Sequence, residues 1–155
     1  MGKYTFLGVI LAIALFLITG VMINHSSNTA TMQAIDTGIK TAVIGNMRND
    51  ESTTQYGMRA KDVVAVITQE VTKNQSDSKK TATIDFKFFE DEDGRVPIEY
   101  SKAITNNSII KSVQYKVNLY NSKDVTTNAS GDPVIKDGAV AESSTENRII
   151  LNKTI

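Results

Sequence analysis

Residues 4–23 read YTFLGVILAIALFLITGVMI, and the interpretation of the whole chain turns on them. The stretch carries no charge, and Tyr4, Thr5 and Thr19 are its only polar side chains. At about 1.5 Å of rise per residue, such a helix matches a bilayer hydrocarbon core of roughly 30 Å. A helix resting on a water-facing core shows an apolar stripe and a polar face, whereas this one is apolar all round. The sequence therefore predicts a transmembrane helix over residues 1–24. A cleaved secretory signal is the second reading, but it calls for an apolar core of about 7–15 residues and a small-x-small cleavage site. The nearest candidate site, Asn28-Thr29-Ala30, is a poor one. An apolar core helix is the third reading. Lys3 lies on the short side of the span and the first charge beyond it is Asp36. Positive charge favours the cytoplasmic side, which predicts a single-pass membrane or cell-surface protein with its amino terminus cytoplasmic and its carboxy-terminal domain extracytoplasmic.

What remains of the 155 residues suffices for one modest domain. Lys plus Arg and Asp plus Glu both number 17, so no net field recruits nucleic acid, and no nucleic-acid partner is expected. Cysteine is absent, which removes disulfides, thiol nucleophiles and thiolate metal sites. An exported domain of this kind must rely on packing or on neighbours in an assembly.

Past the uncharged stretch NHSSNTAT (24–31), helical spacing resumes at Met32, Ile35, Ile39, Ala42 or Val43, and Met47. Either a separate amphipathic helix begins here, or the first helix continues as one rod; the lack of proline favours the rod. Residues 49–54 (NDESTT) read as a loop, so residues 25–57 form a helical spine and loop. A second helix is expected over 58–73, with Ala60, Val63, Val64, Ile67 and Val71 on one stripe. The period then changes from about 3.6 to 2. Ala82, Ile84, Phe86 and Phe88 alternate with Thr83, Asp85, Lys87 and Phe89, a half-buried strand. Asp-Gly at 93–94 marks a turn, and 96–100 returns as a short strand that Pro97 confines to an edge. Residues 109–121 predict a strand with Ile109, Val113, Tyr115, Val117 and Leu119 on one face. Residues 121–138 read as a long loop with a brief strand at Val134-Ile135, and 148–155 as a closing strand. The expected fold class is α+β: an N-terminal transmembrane helix continuing into a helical spine, a second helix, then a small antiparallel β-sheet. Residues 58–155 make up the extracytoplasmic head.

Candidate sites are few. The acidic run at 90–94 (EDEDG) suggests a cation loop, but EF-hand spacing would need Asp or Asn at Phe89 and Glu at Tyr100. A solvated hairpin tip is the better reading. His25, the only histidine, has no ligand-type neighbours for a metal site. Ser26 and Ser27 beside it lack the placed acid that nucleophilic catalysis requires. The sequence predicts no catalytic residues, no metal and no cofactor. Asn-x-Ser/Thr triplets begin at Asn24, Asn74, Asn106, Asn128 and Asn152, a pattern expected by chance in a chain so rich in these residues. The apolar helix surface is the remaining candidate. Gly8, Ala12, Phe16 and Gly20 in its first half, with Met32, Ile35, Ile39 and Val43 in its second, form the predicted anchor and assembly surface. Small residues among them permit close helix approach.

An apolar amino-terminal helix leading through TMQAIDTGIKTAVIGNM (31–47) into a sheet-bearing head resembles pilin and pseudopilin subunits. It is most similar to TadE-like and related pilin-like proteins of Gram-positive conjugative clusters. Leu7 stands where prepilins carry a Glu shortly after their cleavage site. The resemblance implies a non-catalytic structural subunit of a cell-surface or secretion/conjugation apparatus. Its expected partners are membrane lipid, other copies of itself, and other envelope subunits. The alternative is a solitary membrane-tethered binding module that uses the sheet face or the 121–138 loop.

Overall fold

A computed structural model describes residues 2–49, 57–75, 77 and 79–151. Helix α1 (Gly2–Asn49) is one continuous element of 48 residues, about 72 Å long at standard helical rise. The chain resumes with β1 (Met58–Arg59) and α2 (Ala60–Asn74). Next come β2 (Lys80–Phe89), β3 (Pro97–Ile98) and α3 (Tyr100–Thr105). After β4 (Ile109–Ile110) and β5 (Ser112–Asn121), a single 3-10 turn over Ser122–Asp124 leads into β6 (Val125–Thr127). β7 (Pro133–Ile135) and β8 (Ser143–Ile150) complete the described elements.

The fold is α+β, with the antiparallel sheet ordered β3-β2-β5-β8. β5 is central and pairs Phe86 with Tyr115 on one side and Tyr115 with Asn147 on the other. Side chains alternate across a strand, so the register puts Ile84, Phe86, Phe88, Val113, Tyr115, Val117 and Leu119 on one face. That face meets the helices. Met32, Ile35, Ile39, Val43 and Met47 of α1 are buried, and so are Ala60, Val63, Ile67 and Val71 of α2. Steps of three and four residues along both helices make the two stripes fit one another and the sheet beneath. Burial of side chains this size stabilises the fold by roughly 1.5–3 kcal/mol each. α3 closes one corner, where Tyr100 stacks on Phe88 and Phe86 with ring centroids 5.5 and 6.2 Å apart.

The expected transmembrane helix is overturned. Among the described residues, no helix is long and apolar enough to cross a membrane. The element holding residues 4–23 continues, as the expected rod does, through His25, Asp36 and Lys40 to Asn49. It is a long helix of mixed character, apolar at one end and amphipathic at the other. The loop expected at 49–54 falls almost wholly outside the described residues, as does the end of the closing strand at 152–155.

Smaller corrections follow from local chemistry. α2 begins at Ala60 rather than Met58, because Met58 and Arg59 pair with Ile110 and Ile109 as a two-stranded ladder. Gly57 before them has φ 129°, and a Cβ there would lie 2.6 Å from the Ile110 carbonyl oxygen, so a side chain is excluded. The strand expected over 109–121 breaks at Lys111, whose N–H donates to the Phe89 carbonyl. That break shifts parity by one residue: Ile110 is buried while Ile109 is exposed, the reverse of the expected pattern. The expected return strand shrinks to Pro97–Ile98, at the sheet edge, and Tyr100 opens α3 instead. The long loop folds back as the β6–β7 hairpin. β8 begins at Ser143, five residues before the expected start at Arg148.

Ile39 is fully buried, and replacing it with alanine is expected to cost about 2–5 kcal/mol of stability. The urea midpoint of the full chain reads this loss, and an unchanged midpoint would contradict the packing. Ile39→Asp buries a carboxylate without a partner and is expected to abolish folding or assembly altogether.

Candidate assembly surface

α1 divides into two halves by what covers it. From Asn28 onward its inward stripe is buried. Before Asn28 every side chain with a described environment is exposed, including Ile13, Leu15, Leu17, Ile18 and Met22 at 55–68%. These five fall on several faces of the helix rather than along one stripe. Together they form exposed apolar surface on one continuous element. Gly8, Ala12, Phe16 and Gly20 lie along the same half of α1, and their surroundings fall outside the described part of the structure. Met32, Ile35, Ile39 and Val43 of the same expected surface line the head's own core. A second apolar surface is a groove of about 760 Å³ between α2 and α3, walled by Val64, Ala65, Thr68, Tyr100 and Ile104.

What aims the exposed half is the polar attachment of the buried half. The Asp36 carboxylate accepts hydrogen bonds from the Tyr115 hydroxyl at 2.5 Å and the Asn147 amide at 2.6 Å. Its other oxygen takes the Lys40 ammonium, one turn along α1, at 2.7 Å. Tyr115 and Asn147 are cross-strand neighbours on β5 and β8, so one carboxylate grips two strands. Burial opposes ionisation of Asp36, but the hydrogen bonds from Lys40, Tyr115 and Asn147 together outweigh it and hold the carboxyl below its usual range. Burial and the facing carboxylate push the Tyr115 phenol far up, so it remains a donor. Two turns before Asp36, Asn28 is 5% exposed and meets Lys80 of β2 and Glu142 just before β8. α1 is therefore fixed to the sheet at two places along its length, which sets both its rotation and its direction.

The residues of both attachments were not singled out from sequence. A signal was present: Asn28 extends the stripe of Met32, Ile35, Ile39 and Val43 backward by one turn, and Asp36 lies beside Ile35 on its edge. Polar residues on an inward stripe imply polar partners, although the sequence does not name them. The acidic run at 90–94 has an internal use. The Asp91 carboxylate accepts from the backbone N–H groups of Val96 at 2.8 Å and Arg95 at 2.9 Å, which hold its carboxyl below the usual range. Among the described residues no group of three or more His, Asp or Glu side chains gathers where a metal ion could sit. His25 is exposed on α1. No protein-family model, curated protein or solved structure matches the chain.

Because the folded state holds Asp36 below its unfolded pKa, the carboxylate's contribution is complete above about pH 4 and is lost as pH falls through the folded value. Asp36→Asn is expected to lower stability at pH 7 by about 1.5–3 kcal/mol, the range for hydrogen bonds to charged groups. The variant should also show a shallower acid-side loss than the parent chain. Parallel urea titrations from pH 7 to pH 3 measure both effects, and equal acid slopes in the two proteins would contradict the role of this carboxylate.

Proposed function

We propose that the chain is a non-catalytic, pilin-like structural subunit of a cell-surface or secretion/conjugation apparatus, and that it assembles through the amino-terminal half of α1. The observation that carries this reading is the division of one 48-residue helix into a half packed on its own head and a half whose described apolar side chains, Ile13, Leu15, Leu17, Ile18 and Met22, are exposed. A helix built only to complete the head could end near Asn28. The extension over residues 2–27 continues for about 39 Å, and every side chain in it with a described environment is exposed. Apolar residues on several of its faces suit enclosure by several neighbouring helices rather than contact along one seam. Small residues at Gly8, Ala12 and Gly20 suit close approach of those helices. The groove beside α3 offers a neighbouring subunit a further apolar seat. In this role the mechanism is mechanical: the head holds α1 at a set angle, and α1 joins copies.

Chemical crosslinking of the full chain in intact native cells tests the proposal. A ladder of homo-oligomers is expected. Ile18→Asp should remove the ladder while changing the unfolding free energy of the head by less than about 0.5 kcal/mol, as befits an exposed site. An undiminished ladder in that variant, or a single crosslink to one foreign protein, would sink the proposal.

A further inference from the structure

The second attachment point of α1 has a composition that calls for more than packing. Asn28, Lys80 and Glu142 come from α1, β2 and the segment before β8, and they meet at the margin of the α1–sheet contact. The Lys80 ammonium donates to the Asn28 side-chain carbonyl oxygen. Its nitrogen therefore stands beside the carboxamide carbon to which that oxygen is bonded. The Glu142 carboxylate lies 3.4 Å from the Lys80 Nζ and 3.5 Å from the Asn28 amide nitrogen, so it touches both the amine and the NH2 group. Asn28 is 5% exposed and the Lys80 side chain 10%, so the amine and the carboxamide are shielded, while Glu142 stands at the exposed rim with 27% of its side chain open to water. The three are held from outside the cluster. The Glu142 N–H donates to the Leu119 carbonyl at 2.8 Å, the Gln75 amide to the Lys80 carbonyl at 2.6 Å, and the Asn121 amide to the Glu142 carboxylate at 3.3 Å.

From this geometry we infer that Lys80 and Asn28 form an intramolecular isopeptide bond, with Glu142 moving the proton. A lysine amine is a competent nucleophile once deprotonated, and fixed contact with its electrophile replaces a bimolecular encounter. Glu142 takes a proton from the Lys80 ammonium. The neutral amine adds to the Asn28 carboxamide carbon, giving a tetrahedral intermediate. Glu142 then returns the proton to the Asn28 nitrogen, the C–N bond of the carboxamide breaks, and ammonia departs with that electron pair. The second proton on the former amine leaves with the ammonia as ammonium, and a neutral secondary amide joins the two side chains. No oxidant, metal or co-reactant enters the balance. The product ties α1 covalently to β2 in a chain that has no cysteine for a disulfide.

Intact-mass measurement of the full chain tests the inference and does not depend on what the chain assembles with. The expected mass is lower than the sequence mass by one ammonia, and a protease digest should contain one joined peptide carrying both Asn28 and Lys80. Lys80→Arg keeps the positive charge and hydrogen-bond donors but removes the amine nucleophile, and it should appear at its full sequence mass. Glu142→Gln, confirmed as folded by circular dichroism, should acquire the bond at least tenfold more slowly. The inference is overturned by a parent chain at full mass after prolonged incubation. A loss of ammonia with the Asn28 and Lys80 peptides still separate, which is the signature of a cyclised asparagine, overturns it equally. Bond formation at the parent rate in folded Glu142→Gln would remove Glu142 from the mechanism.

Discussion

One carboxylate on a long helix sets the geometry of the molecule. Asp36 projects from the packed half of α1 into the sheet and holds Tyr115 of β5 and Asn147 of β8, while Lys40 steadies it from its own helix. Hydrophobic burial alone would leave α1 free to slide or roll, because contacts among Ile35, Ile39 and Val43 are non-directional. Hydrogen bonds to a partly buried charge are directional and costly to leave unmade, so they select a single rotation. With Asn28 fixed one contact earlier along the helix, the direction of the exposed half is determined as well.

The helices pack on one face of the sheet, although Phe89, Ser112 and Asn118 on the reverse are buried as well. Its other face carries Asp85, Lys87, Lys116 and Glu146, all exposed, on neighbouring strands in register. Opposite charges placed cross-strand, such as Asp85 beside Lys116, keep that face soluble and contribute little to stability. The stability of the head therefore rests on the single helix–sheet interface. The described apolar side chains in the leading half of α1, Ile13, Leu15, Leu17, Ile18 and Met22, are exposed and lie outside that interface.

Residues whose environment repeats along the chain could be read without coordinates. The buried stripe of α1, the stripe of α2, and the alternation over Ala82–Phe88 all follow periodic rules, and the periodicity alone locates them. The elements missed, or found only in part, have no such repeat. β8 faces the core mostly with Ser143, Thr145 and Asn147, so no apolar alternation announces it. α3 has only six residues, too few to establish a period. The misplacement of Ile109 came from one irregular residue, since a break at Lys111 exchanges the faces of everything before it. The continuous rod with an amphipathic, docked second half was legible from the unbroken helical spacing, whereas the transmembrane character assigned to residues 4–23 was not upheld, since no described helix is long and apolar enough to cross a membrane.

Composition and periodicity thus determined the class of the protein: an apolar leading helix, an amphipathic continuation, and a strand-rich remainder without thiol chemistry. Tertiary structure alone decided which polar residues meet. Asp36 is separated from Tyr115 and Asn147, and Asn28 from Lys80 and Glu142, by long stretches of chain, and a one-dimensional pattern reports only neighbours along an element. Such meetings depend on strand order and on the rotation of a packed helix, which are properties of the folded chain as a whole.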